Sequence, residues 1–147
     1  MKIAIGADNL GIGLKEEIKK LLNEKNIEFE DVGVNSDELI DYPDIAKTVA
    51  LKIVKENFDR GILICGTGIG MAIAANKVKG IRAAVCHDVY SAERSRKSNN
   101  AQILAMGALI VGKAVAKSLV TVWLKSEFQG GGSARKVEKI CQLEEQK

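Results

Sequence analysis

One histidine, one proline and three cysteines are all that this 147-residue chain holds of those types. With His87 alone, a zinc site is not expected, because such sites gather three or four His, Cys or carboxylate ligands. The three cysteines are widely separated and do not form the framework of a disulfide-stapled secreted domain. Cys65 has no partner at Cys-x-x-Cys spacing, which excludes a thiol-redox pair. No apolar run approaches the ~20 residues that cross a bilayer. The N-terminal Lys2-Ile-Ala-Ile-Gly-Ala-Asp8 reads as a strand and lacks the pattern of a signal peptide. Charge of one sign is also missing: 22 basic residues stand against 19 acidic ones, a net +3, and the basic residues are scattered among the acids. That argues against a nucleic-acid partner. The expectation is a cytoplasmic protein without a membrane or nucleic-acid partner.

What is present is ordinary for one globular domain over residues 1–147: 46% hydrophobic and 28% charged residues, enough to enclose a core. Ile3 to Ala7 reads as a buried strand. Leu10 to Asn26 carries apolar residues at 10, 14, 18, 21 and 22, the spacing of a helix with lysines and glutamates on its other face. Ile27 to Val34 is a second strand. Asp41-Tyr-Pro-Asp44 places the proline at a helix start, and Ile45 to Asn57 continues that helix. Gly61 to Cys65 is a strand and Met71 to Ala75 suits a helix. Arg82 to His87, Val89 to Ser98, Ala101 to Met106 and Lys113 to Ser126 then read as strand, helix, strand and helix. Gly130-Gly-Gly132 is a joint before a terminal helix, Ala134 to Glu145.

Alternating strands and helices predict an α/β fold: a three-layer, doubly wound, five-stranded parallel sheet of Rossmann-like type. In such sheets ligands lie at the carboxyl ends of the strands, where Asp8, Asn9, Cys65 and the glycine loop fall. The terminal segment, about 130–147, reads as a helical arm. An arm of this kind packs on a second subunit, which predicts a symmetric dimer or a larger assembly.

The stretch Asp59-Arg-Gly-Ile-Leu-Ile-Cys-Gly-Thr-Gly-Ile-Gly-Met-Ala-Ile-Ala-Ala75 carries the chemistry. Strand, glycine turn and helix bring free N–H groups and a positive helix end to the residue that closes the strand, here Cys65, where a thiolate is stabilised. Met71 stands where the dinucleotide fingerprint needs its third glycine and where a Cys-x5-Arg phosphatase needs arginine. No phosphate-binding lysine follows the turn either. Two readings of Cys65 stay open on these grounds: a base or nucleophile beside backbone donors, or a small buried strand-end residue, as Cys86 reads. Asp8 is equally suited to cap the first helix, and Tyr42 to pack. As a trio facing one cleft, the three residues fit proton transfer on a polyhydroxylated substrate better.

Ile-Leu-Ile-Cys65-Gly-Thr-Gly-Ile-Gly-Met-Ala-Ile-Ala-Ala-Asn-Lys77, followed by Gly80-Ile-Arg-Ala-Ala-Val-Cys-His-Asp88, resembles the ribose-5-phosphate isomerase B and galactose-6-phosphate isomerase family. Asp41-Tyr-Pro-Asp44, the Ser91-Ala92 and Ser95-Arg96 segment and the tail from Phe128 through Ile140 match in place, so the similarity covers nearly the whole chain. It implies interconversion of an aldose phosphate and a ketose phosphate without a metal or organic cofactor. By the resemblance, Cys65 is the thiolate base that forms an enediolate, and Thr67 assists with a hydroxyl proton. The N–H groups from Gly66 through Gly68 and Ile69 to Gly70 hold the oxyanion. Asp8, Asn9 and Tyr42 orient hydroxyls, while Ser98, Asn99, Arg135 and Lys136 occupy further site positions.

Several positions depart from the family pattern. Asn9 stands in place of a histidine, and Ser98 in place of the histidine that opens the sugar ring. Leu109 replaces an arginine, Gly132 and Ser133 replace an arginine and a histidine, and Lys136 replaces an arginine beside Arg135. Lysine is a point charge and lacks arginine's bidentate grip on phosphate; serine does not titrate near neutral pH. Three explanations follow: an isomerase with a shorter, open-chain or differently phosphorylated substrate; the cysteine-bearing subunit of a hetero-oligomer with a paralogous chain; or a non-catalytic sugar-binding relative.

Overall fold

Buried along its whole length, β3 (Arg60–Cys65) takes the middle of a five-stranded sheet. The computed structural model describes residues 1–36 and 39–146. Beside β3 run β1 (Lys2–Ala7) and β5 (Ile103–Gly107), while β2 (Glu28–Asp31) and β4 (Ala83–Val85) form the edges. All pairings are parallel, in the order β2-β1-β3-β5-β4. Side chains alternate across the pleat. Ile3, Ile5, Ile62, Ile64, Leu104 and Met106 face one core with Ile18 and Leu22 of α1 (Ile12–Glu24) and Leu119 and Trp123 of α5 (Lys113–Lys125). Ala4, Leu63, Cys65, Ile103 and Ala105 face the other, with Ile45 and Val49 of α2 (Tyr42–Lys55) and Met71 and Ala75 of α3 (Ile69–Ala75). This is the doubly wound three-layer architecture expected. Because β1 and β3 are neighbours whose onward connections run to opposite sides, their carboxyl ends form the switch point of the sheet.

Both edge strands are shorter than the sequence pattern suggests. Val32 and Val34 still donate to Ile5 and Ala7 of β1, at 2.9 and 2.6 Å, but Gly33 at φ +102° turns the chain out of the ladder. After Val85, the Cys86 N–H still bonds Ala105 O at 3.1 Å, and His87 then turns toward β5. The first helix also begins late. The Asp8 carboxylate accepts the N–H groups of Leu10 and Gly11, which winds Asn9–Gly11 as a 3-10 turn ahead of α1. Leu10 is thereby turned outward, 59% exposed, although its helical register matches the core.

One lysine of α1 lies opposite to its expected place. Lys15 is fully buried, its Nζ donating to Asp31 Oδ1, Val34 O and Asn35 Oδ1 at 2.8, 2.7 and 2.8 Å. At the amino edge of the sheet, the buried Arg60 caps α5 through Trp123 O at 2.8 Å and Ser126 O at 3.0 Å, and pairs with Glu127. α4 (Val89–Lys97) opens on an Asp88 cap to the Ser91 N–H. α6 (Gly132–Gln142) follows the glycine joint. Its end is tied to the turn after α3, with Glu144 accepting the Gly80 N–H, Glu145 pairing with Lys79 at 2.7 Å, and Cys141 Sγ 3.5 Å from Arg82. Among the described residues no helix is long and apolar enough to cross a membrane.

Candidate active site

β3 ends at Cys65, and the chain turns at once into α3. Cys65 is 6% exposed, and its Sγ accepts the Gly68 N–H at 3.0 Å. Gly68 has φ +78°, and a Cβ there would stand 2.8–3.0 Å from the Met106 backbone. Only glycine allows β5 so close to this turn. The exposed Thr67 closes it by accepting the Ile69 N–H at 3.3 Å. Among the described residues, the N–H groups of Gly66 and Thr67 meet no protein acceptor, and neither does that of Gly70. The turn after Cys65 thus keeps backbone donors without an acceptor, while the N–H groups of Gly68 and Ile69, expected to be free as well, are engaged by Cys65 Sγ and Thr67 Oγ1.

The neighbouring strand ends hold the turn from both sides. Asp8 N–H donates to Ile64 O at 3.1 Å; Ala108 and Leu109 donate to Cys65 O and Gly66 O at 2.8 and 3.1 Å. Asp8 is therefore beside Cys65, but its Oδ1 is engaged as the cap of the Asn9–Gly11 turn, so only Oδ2 is open to a ligand. Asn9 is exposed on that turn. Tyr42, 42% exposed, lays its ring against Gly70: a Cβ on that glycine would lie 2.6 Å from two ring carbons and 2.9 Å from the hydroxyl oxygen. Asp8, Asn9, Tyr42, Cys65, Thr67 and the Gly66–Gly70 backbone are thus brought together at the carboxyl edge. Two leucines also stand over the turn. Leu10 and Leu109 stand 3.0 and 3.4 Å from a Cβ position on Gly66.

Ser98 and Asn99 are elsewhere. They join α4 to β5 at the amino edge, where Asn99 O accepts from Arg82 Nε at 3.2 Å. The strand from Ile103 to Gly107, about 13 Å at the usual rise per residue, separates that edge from Gly107, the partner of Cys65. Ser98 Oγ accepts from Nε and Nη2 of Arg94. Arg135 and Lys136 are exposed in the first turns of α6. No single copy of the chain brings Ser98 or Asn99 to Cys65.

His87 has a part that the sequence reading left unassigned. It follows β4 at the carboxyl edge, and its Nε2 accepts the Gly107 N–H at 2.9 Å. The available signal was its place, the one histidine of the chain just past a strand. At nearby Cys86, burial pushes the thiol up to about 11, with Asp88 adding to the rise and Ser95 opposing it, so it is inert near neutral pH. Among the described residues, no cluster of three His, Cys, Asp or Glu side chains is placed to hold a metal ion.

Residues 3–140 match the family model described as Ribose/Galactose Isomerase. The chain belongs to that family. Ribose-5-P isomerase B of Listeria innocua is 55% identical over 145 residues, covering 99% of this chain and 98% of that protein. D-erythrulose-4-phosphate isomerase of Pectobacterium atrosepticum is 53% identical over 147 residues, covering 99% and 97%. The solved ribose-5-phosphate isomerase B of Clostridium thermocellum superposes with a TM-score of 0.97 at 49% identity, covering 99% of each chain. Membership of this family makes the protein an enzyme, an isomerase of the ribose-5-phosphate isomerase B type.

Proposed function

We propose that the protein interconverts an aldose phosphate and a ketose phosphate by proton transfer at Cys65. The observation that carries this reading is the sulfur at the end of β3, accepting the Gly68 N–H in a turn whose backbone donors at Gly66, Thr67 and Gly70 meet no acceptor among the described residues. In this mechanism the Cys65 thiolate removes the proton from the carbon beside the carbonyl. The C–H electron pair becomes the enediolate double bond, and the carbonyl oxygen takes the negative charge. The N–H groups of Gly66, Thr67 and Gly70 hold that oxygen, each such donor being worth about 2.7–4 kcal/mol in comparable sites. The thiol then returns its proton to the former carbonyl carbon, and Thr67 Oγ relays the hydroxyl proton between the two oxygens. Asp8 Oδ2, Asn9, Tyr42 and the Ile69 backbone orient the remaining hydroxyls.

The relatives are named for five-carbon and four-carbon sugar phosphates, which supports a phosphorylated substrate in that range. If Ser98, Asn99, Arg135 and Lys136 belong to the site, a second copy brings them, with the segment after Gly130 as the arm of a homodimer or tetramer. Leu109, Gly132 and Ser133, where cations are lost, favour one other assembly: a hetero-oligomer with a paralogous subunit. The three free thiols support a reducing compartment, the cytoplasm.

The deciding experiment incubates the purified protein in heavy water with tetrose, pentose and hexose phosphates and follows the carbon-bound protons by NMR. Deuterium entering at C2 of one aldose phosphate, together with its ketose, is the expected result. Saturable thermal shifts without exchange would instead make the protein a binding module. Exchange appearing only when a paralogous chain is added would establish the mixed assembly. Gly70→Ala tests the place of Tyr42: the new Cβ displaces the ring, and kcat/KM is expected to fall about 10- to 100-fold through misplacement of the substrate. The melting temperature should move little, because Tyr42 is half-exposed; unchanged kinetics would remove Tyr42 from the site.

A further inference from the structure

The amino edge of the sheet buries two arginines close together. Arg60 opens β3 and Arg96 lies in the last turn of α4, 3% and 6% exposed. Guanidinium charges placed this deeply need both acceptors and counter-charge. Arg60 has its acceptors: Nη1 donates to Trp123 O and Leu124 O at 2.8 and 3.2 Å, and Nη2 to Ser126 O at 3.0 Å. Arg96 does not. Its Nη1 donates to Ala101 O at 2.8 Å, but its buried Nε meets no acceptor among the described residues.

Counter-charge is short as well. Among the described residues one carboxylate, Glu127, spans the pair, with Oε1 2.6 Å from Arg60 Nη2 and Oε2 3.8 Å from Arg96 Nη2. The second distance is beyond a hydrogen bond. Burial, and then the charge of Arg60, push the Arg96 guanidinium down to about 10, with Glu127 opposing and Arg82 adding to the fall. Near neutral pH it stays charged. Glu127 itself is held loosely, its side chain being 71% exposed. It borders a cavity of about 310 Å³ whose other walls are Met1, Asp59, Arg60 and Arg96. Asp59 opposes an anion there, but its Oδ2 already accepts the Lys2 N–H at 2.6 Å.

Guanidinium groups grip carboxylates and phosphates with paired N–H donors. With Glu127 turned into solvent, two positive charges face the cavity. A phosphoryl group carries about −1.5 to −2 near pH 7 and meets both of them, where one carboxylate meets half. We propose that the amino edge carries a separate anion site, in which phosphate or the phosphoryl group of a small metabolite takes the place of the Glu127 carboxylate between Arg60 and Arg96. Arg60 and Cys65 are the two ends of β3, so about 16 Å of strand separates this site from the catalytic turn within one copy. The proposal does not depend on the isomerase mechanism.

Nitrogen-15 NMR of the arginine Nε–H groups reads the site directly. Inorganic phosphate in one arm and glycerol 3-phosphate in the other are titrated into labelled protein at constant ionic strength, with chloride as the control. The Arg96 Nε–H resonance is expected to shift saturably in at least one arm, at concentrations where chloride leaves it in place. The tighter arm tells free phosphate from a phosphate ester. Glu127→Gln removes the competing charge from an exposed position, so the fold is retained and binding should tighten about 5-fold or more, the worth of one exposed ion pair. The backbone N–H resonances of Gly66, Thr67 and Gly70 report the catalytic turn in the same spectra. Shifts confined to that turn overturn the proposal, and so does an Arg96 shift that chloride reproduces, which is screening. Binding that Glu127→Gln leaves unchanged or weakens overturns it too.

Discussion

Cys65→Ala is expected to abolish proton exchange at C2 of the substrate while leaving the protein folded. A positioned base contributes about 10²–10⁴-fold to such a step, and among the described residues neither Asp8 nor Cys86 is suited to replace it. Asp8 has one oxygen committed to the cap of the Asn9–Gly11 turn, and the Cys86 thiol is held at about 11 by burial. The structural cost is modest. Removing the sulfur leaves the Gly68 N–H without its acceptor, which costs about 1–3 kcal/mol. That corresponds to a fall in melting temperature of roughly 2–10 °C for a chain of this size. Cys65→Ser retains an acceptor, and its melting temperature should fall less, yet its activity should be lost as fully, because an alcohol is not ionised near neutral pH. Kinetics by NMR exchange and melting by calorimetry check the two halves. Turnover preserved in either variant ends the assignment of Cys65 as the base.

Asp31→Ala is expected to produce the largest loss of stability, about 3–5 kcal/mol, the typical cost of removing one partner of a buried ion pair. Lys15 is fully enclosed, and among the described residues Asp31 is its only charged partner, at 2.8 Å. Asp31 also holds Lys19 at 2.8 Å and the Gly33 N–H at 3.0 Å. Burial works to raise the Asp31 carboxyl, but the hydrogen bonds from Lys15, Lys19 and Gly33 outweigh it, and the net shift is downward. A carboxyl lowered in the folded state lends stability that is fully present above its unfolded value, near 3.8. That stability is lost as the pH falls through the lower folded value. The wild type should therefore lose stability on acidification below about pH 4 more steeply than Asp31→Asn, which has no charge to neutralise there. Urea unfolding at pH 7 and at pH 3 measures both effects. Equal acid sensitivity of the two proteins would show that the Asp31 carboxyl is not the titrating group. Lys15→Met removes the buried charge itself and should cost less than Asp31→Ala.

Tertiary contacts decide what several of these side chains do. Asp8 and Tyr42 each had a structural and a functional reading, and Asp8 meets the structural one: one of its oxygens caps the Asn9–Gly11 turn. His87 became legible only when Gly107, twenty residues later, was brought beside it by the β4–β5 pairing. Lys15 matched a solvated helix face by spacing, yet Asp31, Val34 and Asn35 close over it from the end of β2. Leu10 matched the core register, but the Asp8 cap rotates it outward before α1 begins.

From the residues alone came the alternation of strands and helices, the proline at the start of α2 and the strand-glycine-helix unit at Cys65. These are local: hydrophobic period and glycine geometry act within one or two turns of chain, so the sequence carries them without knowing the fold. The folded chain alone decided that Ser98 and Asn99 lie a full strand away from Cys65, that Leu10 and Leu109 stand over the turn after Cys65, and that the sole imidazole is tied to a backbone N–H. Those facts depend on which distant segments the parallel crossovers set side by side, and no local pattern encodes that choice.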